Sequence, residues 1–182
     1  MTMTENQRSE IDSDQYTVRR TIAIAAPMEK VWAAITEAEH IARWFGQSAV
    51  LDEVAVGAGG VFSFEGYGDF PVLIEELDPP RVIAYRWSND DARRVHSDQV
   101  HSEVHSEVHS EVRSDQVHSD QVDPDHSTVF RFTLEPLASG TQLTVVETGF
   151  DTTSDPAFNL ESHRGGWDAG LDALVAYLES GS

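Results

Sequence analysis

The segment His96–Val122 constrains this chain more than any other, because it cannot contribute to a core. It reads HSDQV, HSEV, HSEV, HSEV, RSDQV, HSDQV, a tandem run of four- and five-residue units with one Val each among polar neighbours. Repeat architectures need units of ~20 to 50 residues to build a supersecondary element. A period of four also fails to choose between helix and strand, since Val100, Val104, Val108 and Val112 drift round a helix yet share one face of a strand. The run is therefore expected within a disordered insert, residues 89–126, placed between two strands where loop length costs little because closure entropy grows only logarithmically. His101, His105 and His109 recur at i, i+4 and i+8 with Glu103, Glu107 and Glu111 interleaved. Ser, His and Val are mediocre helix formers, and expansion of a short coding repeat accounts for the regularity, so no dedicated metal site is expected.

Setting aside the insert and the polar, acidic tail of residues 1–15, also expected to be disordered, leaves roughly 130 residues, near the commonest domain size. One domain over residues 16–179 follows, and 40% apolar residues supply its core. The absence of cysteine excludes disulfide scaffolds, thiolate zinc sites and a cysteine nucleophile. Thirty-two acidic residues against 12 basic ones give a formal charge of −20, which repels phosphate backbones and anionic membrane surfaces. Nucleic acid and membranes are not expected partners. No stretch approaches the ~18 uninterrupted apolar residues of a membrane helix, and the N-terminus lacks a leader pattern, so a cytoplasmic location is expected.

Tyr16–Ala25 reads as a strand, Pro27 stands at an expected first helical position, and Val31, Trp32 and Ile35 share a helix face. A second short helix over Ala38–Phe45 is expected to end at Gly46 in a left-handed cap. Short strand-like runs follow at 48–54, 60–66, 70–77 and 81–87, then at 128–134 and 142–148, separated by Gly, Asp and Pro. The chain closes on helical spacing, with Trp167, Leu171, Leu174, Val175 and Leu178 on one stripe. This order is an α+β plan with helices on one face of a curved antiparallel sheet.

With the phrases VRRTIAIAAPMEKVWAAITEAEHIARWF, GGVFSFE and HRGGWDAGLDALVAYLE, that order resembles the helix-grip superfamily (SRPBCC) typified by START and Bet v 1 domains. Within it the chain is most similar to the family named for the activator of the Hsp90 ATPase. The resemblance spans residues 16–87 and 128–179. It implies a sheet and two short helices wrapped around a long C-terminal helix, enclosing an elongated apolar cavity. It also implies a ligand-binding or protein-interaction domain, with polyketide cyclase or dehydratase enzymes among the relatives.

Alternation along the strands turns Phe62 and Phe64 to one face, as it does Ile83, Tyr85 and Trp87, and then Phe130, Phe132 and Leu134. With Trp44, Phe45, Trp167 and Leu171 from the helices, these side chains form either a packed core or the lining of a site for a flat hydrophobic ligand. Glu147 shares the face of Leu143 and Val145. Facing inward, its pKa would be raised by desolvation and it would suit a general base; at the strand end, its head would sit in water. His163, beside Gly165-Gly166 at the expected start of the last helix, is the second candidate acid or base. Gly165, Gly166 and Gly170 each cost a helix about 1 kcal/mol relative to Ala, a cost that close helix–sheet approach or an entrance for a ligand would offset. No phosphate-cradling or nucleophile-elbow motif occurs, so no cofactor is expected. The leading reading is a non-catalytic domain for a small hydrophobic molecule or a protein partner, with room for a homodimer. The alternative is a cyclase- or dehydratase-like enzyme using an acid/base residue in the cavity.

Overall fold

The computed structural model describes residues 8–46, 48–64, 68–88, 122 and 127–180. Its elements run β1 (Glu10–Asp12), β2 (Thr17–Ile24), α1 (Met28–Thr36), α2 (Ala38–Trp44), β3 (Ser48–Leu51), β4 (Gly59–Phe64), β5 (Gly68–Asp78), β6 (Val82–Trp87), β7 (Thr128–Leu137), β8 (Gly140–Thr148), a 3₁₀ turn (Phe150–Thr152) and α3 (Pro156–Ser180). The strands form one antiparallel sheet in the order β1-β2-β8-β7-β6-β5-β4-β3. The architecture is the α+β helix-grip plan: a curved open sheet with its helices on one side and α3 lying across the inner face.

Alternation decides which side chains that face receives. Along β8, Thr141, Leu143, Val145 and Glu147 are buried while Gly140, Gln142, Thr144 and Val146 are half-buried and Thr148 is exposed. Register places Glu147 opposite Phe130 on β7 and Val18 on β2, in the middle of the sheet. On α3 the buried residues are Asn159 and then Leu160, His163, Trp167, Leu171, Leu174 and Leu178, a stripe with the 3-and-4 spacing of a helix laid on a surface. That stripe begins well before Trp167, because the helix starts at Pro156.

Pro27 is extended (φ −69°, ψ 156°) and its carbonyl accepts from Lys30 and Val31, so it caps α1 instead of occupying the first helical turn. Gly46 follows α2 at φ +90°, the expected left-handed exit, and a side chain there would also meet the Ser63 carbonyl at 2.6 Å. The tail differs from expectation: Glu10–Asp12 forms a strand paired with β2, and Ser9 donates its backbone N–H to Asp168 on α3 at 2.7 Å. Three residues carry too little periodicity to announce a strand, and the pairing comes from the free edge of β2. The insert lies outside the described residues apart from Val122, which is buried, and so do the repeat histidines.

Arg20, inward on β2, ties the sheet to the Asp168 and Asp172 flank of α3. Its guanidinium donates to the carbonyls of Trp167 (3.3 Å) and Asp168 (3.0 Å) and to the Asp172 carboxylate (2.7 Å). The side chain is only 3% exposed, so truncation removes a buried charge together with its bonds. Arg20→Ala is expected to cost about 2–4 kcal/mol, read as a lower urea midpoint at unchanged slope. Deleting residues 93–121 is expected to leave one cooperative calorimetric transition, whereas a broadened or split transition would show that the segment belongs to the folding unit.

Candidate functional site

Glu147 is fully buried, and its two oxygens are shared among four donors from three other elements. Trp167 Nε1 on α3 donates to Oε1 at 2.8 Å, Trp87 Nε1 on β6 to Oε2 at 2.9 Å, and the Thr128 hydroxyl on β7 to Oε2. His163 Nδ1 sits 2.9 Å from Oε1 and 3.0 Å from Oε2. An ionised carboxylate only accepts, so Nδ1 carries the proton directed at it. Trp87 Nε1 also reaches Thr128 Oγ1 at 3.1 Å, closing the network across the β6–β7 pair.

These contacts reverse the expected sign of the Glu147 shift. Burial is the largest single influence and pushes its pKa up. The attraction of the His163 imidazolium and the hydrogen bonds from His163, Thr128 and Trp87 together outweigh burial and leave the carboxyl below its ordinary 4.5. The carboxylate is thus not a strand-end group in water, and its pKa lies below the ordinary value, not above it. His163 also differs from its expected place: it lies two turns inside α3, edge-on to Phe150 and Trp87.

Beside this network lies a cavity of about 410 Å³, open on one side. One wall is the end of α2 (Trp44, Phe45, Gly46); the second is Phe64, Phe70 and Trp87 from the sheet; the third is α3 from Ser162 to Gly170. Phe45 sits between two indoles, stacked 5.5 Å from Trp167 at 11° and 5.7 Å from Trp87 at 27°. Of the side chains expected to face a ligand, Trp44, Phe45, Phe64, Trp87 and Trp167 line this cavity, joined by His163. Phe62, Tyr85, Phe130, Phe132 and Leu171 do not; they pack together beneath it as core. Tyr85 is committed structurally, since its hydroxyl donates to the Ile35 carbonyl at 2.6 Å and burial pushes its pKa up. Phe70 escaped the site reading, although its register opposite Phe62 brings it to the same face.

Of the three helix glycines, Gly166 and Gly170 border the cavity and Gly165 does not. A side chain at Gly165 or Gly166 would meet nothing within 4 Å, so close helix–sheet approach does not account for either. Gly166 leaves part of the cavity unfilled, while Gly170 lies at ordinary contact distance from Phe45 and Trp44. Among the described residues no group of three or more His, Asp or Glu is arranged to hold a metal ion, and no helix is long and apolar enough to cross a membrane.

Residues 25–179 match the family described as Activator of Hsp90 ATPase homolog 1-like protein. The chain belongs to that family. No curated protein sequence matches it. Similar solved structures include protein MLL2253 from Mesorhizobium loti, 21% identical with a TM-score of 0.65, covering 91% of this chain and 98% of the other. DynU16, a protein of the dynemicin biosynthetic locus, is 22% identical with a TM-score of 0.62, covering 91% of this chain and 48% of that one. The solution structure of the Aha1 dimer from Colwellia psychrerythraea is 16% identical with a TM-score of 0.59, covering 91% and 98%. At these identities the likeness is one of fold.

Glu147→Gln places an amide N–H₂ among four donors and leaves His163 without its counter-charge. It is expected to destabilise the protein by about 3–5 kcal/mol in urea unfolding at pH 7. Because the folded carboxyl titrates below its unfolded value, its contribution is present in full above about pH 4.5 and is lost as pH falls through the folded value. The wild-type midpoint should therefore drop more steeply under acid than the Gln variant's, and parallel acid profiles would refute the assignment.

Proposed function

We propose that this chain is a non-catalytic binding domain for a small hydrophobic molecule, held in the cavity between α2, the sheet and α3. The observation that carries the reading is the cavity itself: about 410 Å³ walled by Trp44, Phe45, Phe64, Phe70, Trp87 and Trp167. That volume lies in the ~300–1,000 Å³ range of small-molecule sites, and the walls are the aromatic kind that buries such ligands. The adjoining carboxylate supports binding over turnover, because it is held in its ionised form with both oxygens engaged.

A second reading, a cyclase- or dehydratase-like enzyme, draws support from His163, which lines the cavity with a carboxylate behind it. The similarity to a protein of the dynemicin biosynthetic locus is compatible with it. In that reading His163 exchanges the proton and Glu147 orients the ring. Self-association, suggested by the dimeric Colwellia structure, is a separate proposal that sedimentation at high salt would test.

Gly166→Leu fills the cavity from a position with no neighbour to displace, and it removes the helix cost of glycine. The variant is expected to keep or raise its melting temperature while losing the thermal shift and native mass-spectrometric adducts that the wild type gives with a panel of polycyclic aromatics and acyl lipids. Adducts retained at wild-type strength by Gly166→Leu would place binding elsewhere.

A further inference from the structure

The rings around the cavity carry polar edges, and those edges are all turned away from it. Four of its lining side chains bear a ring N–H: Trp44, Trp87, Trp167 and His163. Trp44 Nε1 donates to the Ala34 carbonyl at 2.8 Å, a bond that is itself buried. Trp87, Trp167 and His163 all direct theirs to Glu147. The second imidazole nitrogen, Nε2, has no exposed surface. Among the described residues, what the inner walls offer a guest is therefore ring faces and C–H edges. The remaining polar lining side chain, Ser162, is exposed, as are Gly166 and Ala169, so all three sit at the open side. Among the described residues no Lys, Arg, Asp or Glu lines the cavity, and the charge of the His163 imidazolium is paired with Glu147.

Glu147 gathers three of these four N–H groups although it is not itself a lining residue. A neutral residue there would weaken the hold on the Trp167 indole and the His163 imidazole, while Trp87 would keep the Thr128 hydroxyl, so a guest's oxygen would gain N–H groups to compete for. Burying a hydroxyl where no partner is available is unfavourable, so a wall stripped of hydrogen-bonding capacity discriminates against polar guests.

Resting on the binding reading above, we infer that the cavity selects a flat, uncharged aromatic molecule by its apolar ring surface and excludes hydrogen-bonding groups from its inner end. Glu147 is the positioning residue that sets this preference. Polar substituents on the guest are confined to the side where Ser162 meets water.

A near-isosteric pair tests this: 2,6-dimethylanthracene, and 2,6-dihydroxyanthracene, whose two hydroxyls stand at opposite ends so that one must enter. Quenching of the protein's tryptophan fluorescence gives both affinities. The dimethyl compound is expected to bind wild type tighter by roughly tenfold or more. The Glu147→Gln variant is expected to narrow that ratio several-fold, a change in selectivity that general loosening would not produce. If neither compound binds, the binding reading fails and this inference goes with it. If the diol binds wild type equally well or better, the inference fails and the binding reading stands. A folded Glu147→Gln with an unchanged ratio removes the role assigned to Glu147.

Where that variant does not fold, nitrogen-15 spectra of wild type decide. The indole N–H groups of Trp87 and Trp167 should stay slow to exchange with solvent when 2,6-dihydroxyanthracene, the guest that carries oxygens, is bound, as when dimethylanthracene is. Faster exchange with the diol alone would mean that its oxygens compete for the N–H groups and would overturn the proposal.

Discussion

One buried negative charge organises this molecule. Glu147 stands at the middle of the sheet, and its donors come from β6, β7 and α3, so a single carboxylate fastens the helix to the strands it crosses. Taking such a group out of water is costly, and the position is tolerable only because every donor is present at once. That dependence makes the arrangement cooperative: loss of any one partner raises the cost of keeping the others. Arg20 performs the complementary task from β2 along the Asp168 and Asp172 flank of α3, where its guanidinium grips carbonyls of the helix segment that carries Trp167.

With α3 held at both points, the space beside it is determined by what the helix lacks. Gly166 presents no side chain toward the opening, and Phe45, wedged between two indoles, stops the sheet and helix rings from collapsing together. The cavity is thus a gap between rigid planes, fixed by ring stacking on one side and by missing atoms on the other. Close-packed interiors rarely keep such gaps without a structural reason. Here the reason is that each plane is anchored at its polar edge.

Much of the fold was legible because its signals are local. Alternation put Glu147 on the face of Leu143 and Val145 without deciding whether its head stayed in water, helical spacing from Trp167 to Leu178 marked the last helix, and Gly46 marked the end of α2. The sign of the Glu147 shift was not legible, because it depends on Trp87, which is 60 residues away in sequence, and on the tilt that brings His163 and Trp167 onto the same carboxylate. Alternation likewise named the inward rings without separating those that pack from those that line space. Tyr85, Phe130 and Phe132 share their periodicity with Trp87, and only the curvature of the sheet assigns the first three to the core. The short β1 strand escaped because its pairing is dictated by an unoccupied edge.

The β6–β7 connection has a consequence of its own. Trp87 and Thr128 form the last register pair before the chain departs and the first after it returns, and both are bonded to Glu147. The doorway of the excursion is thereby latched shut from within. Slippage in a repetitive coding tract can add or remove units beyond the latch while the strands behind it keep their alignment.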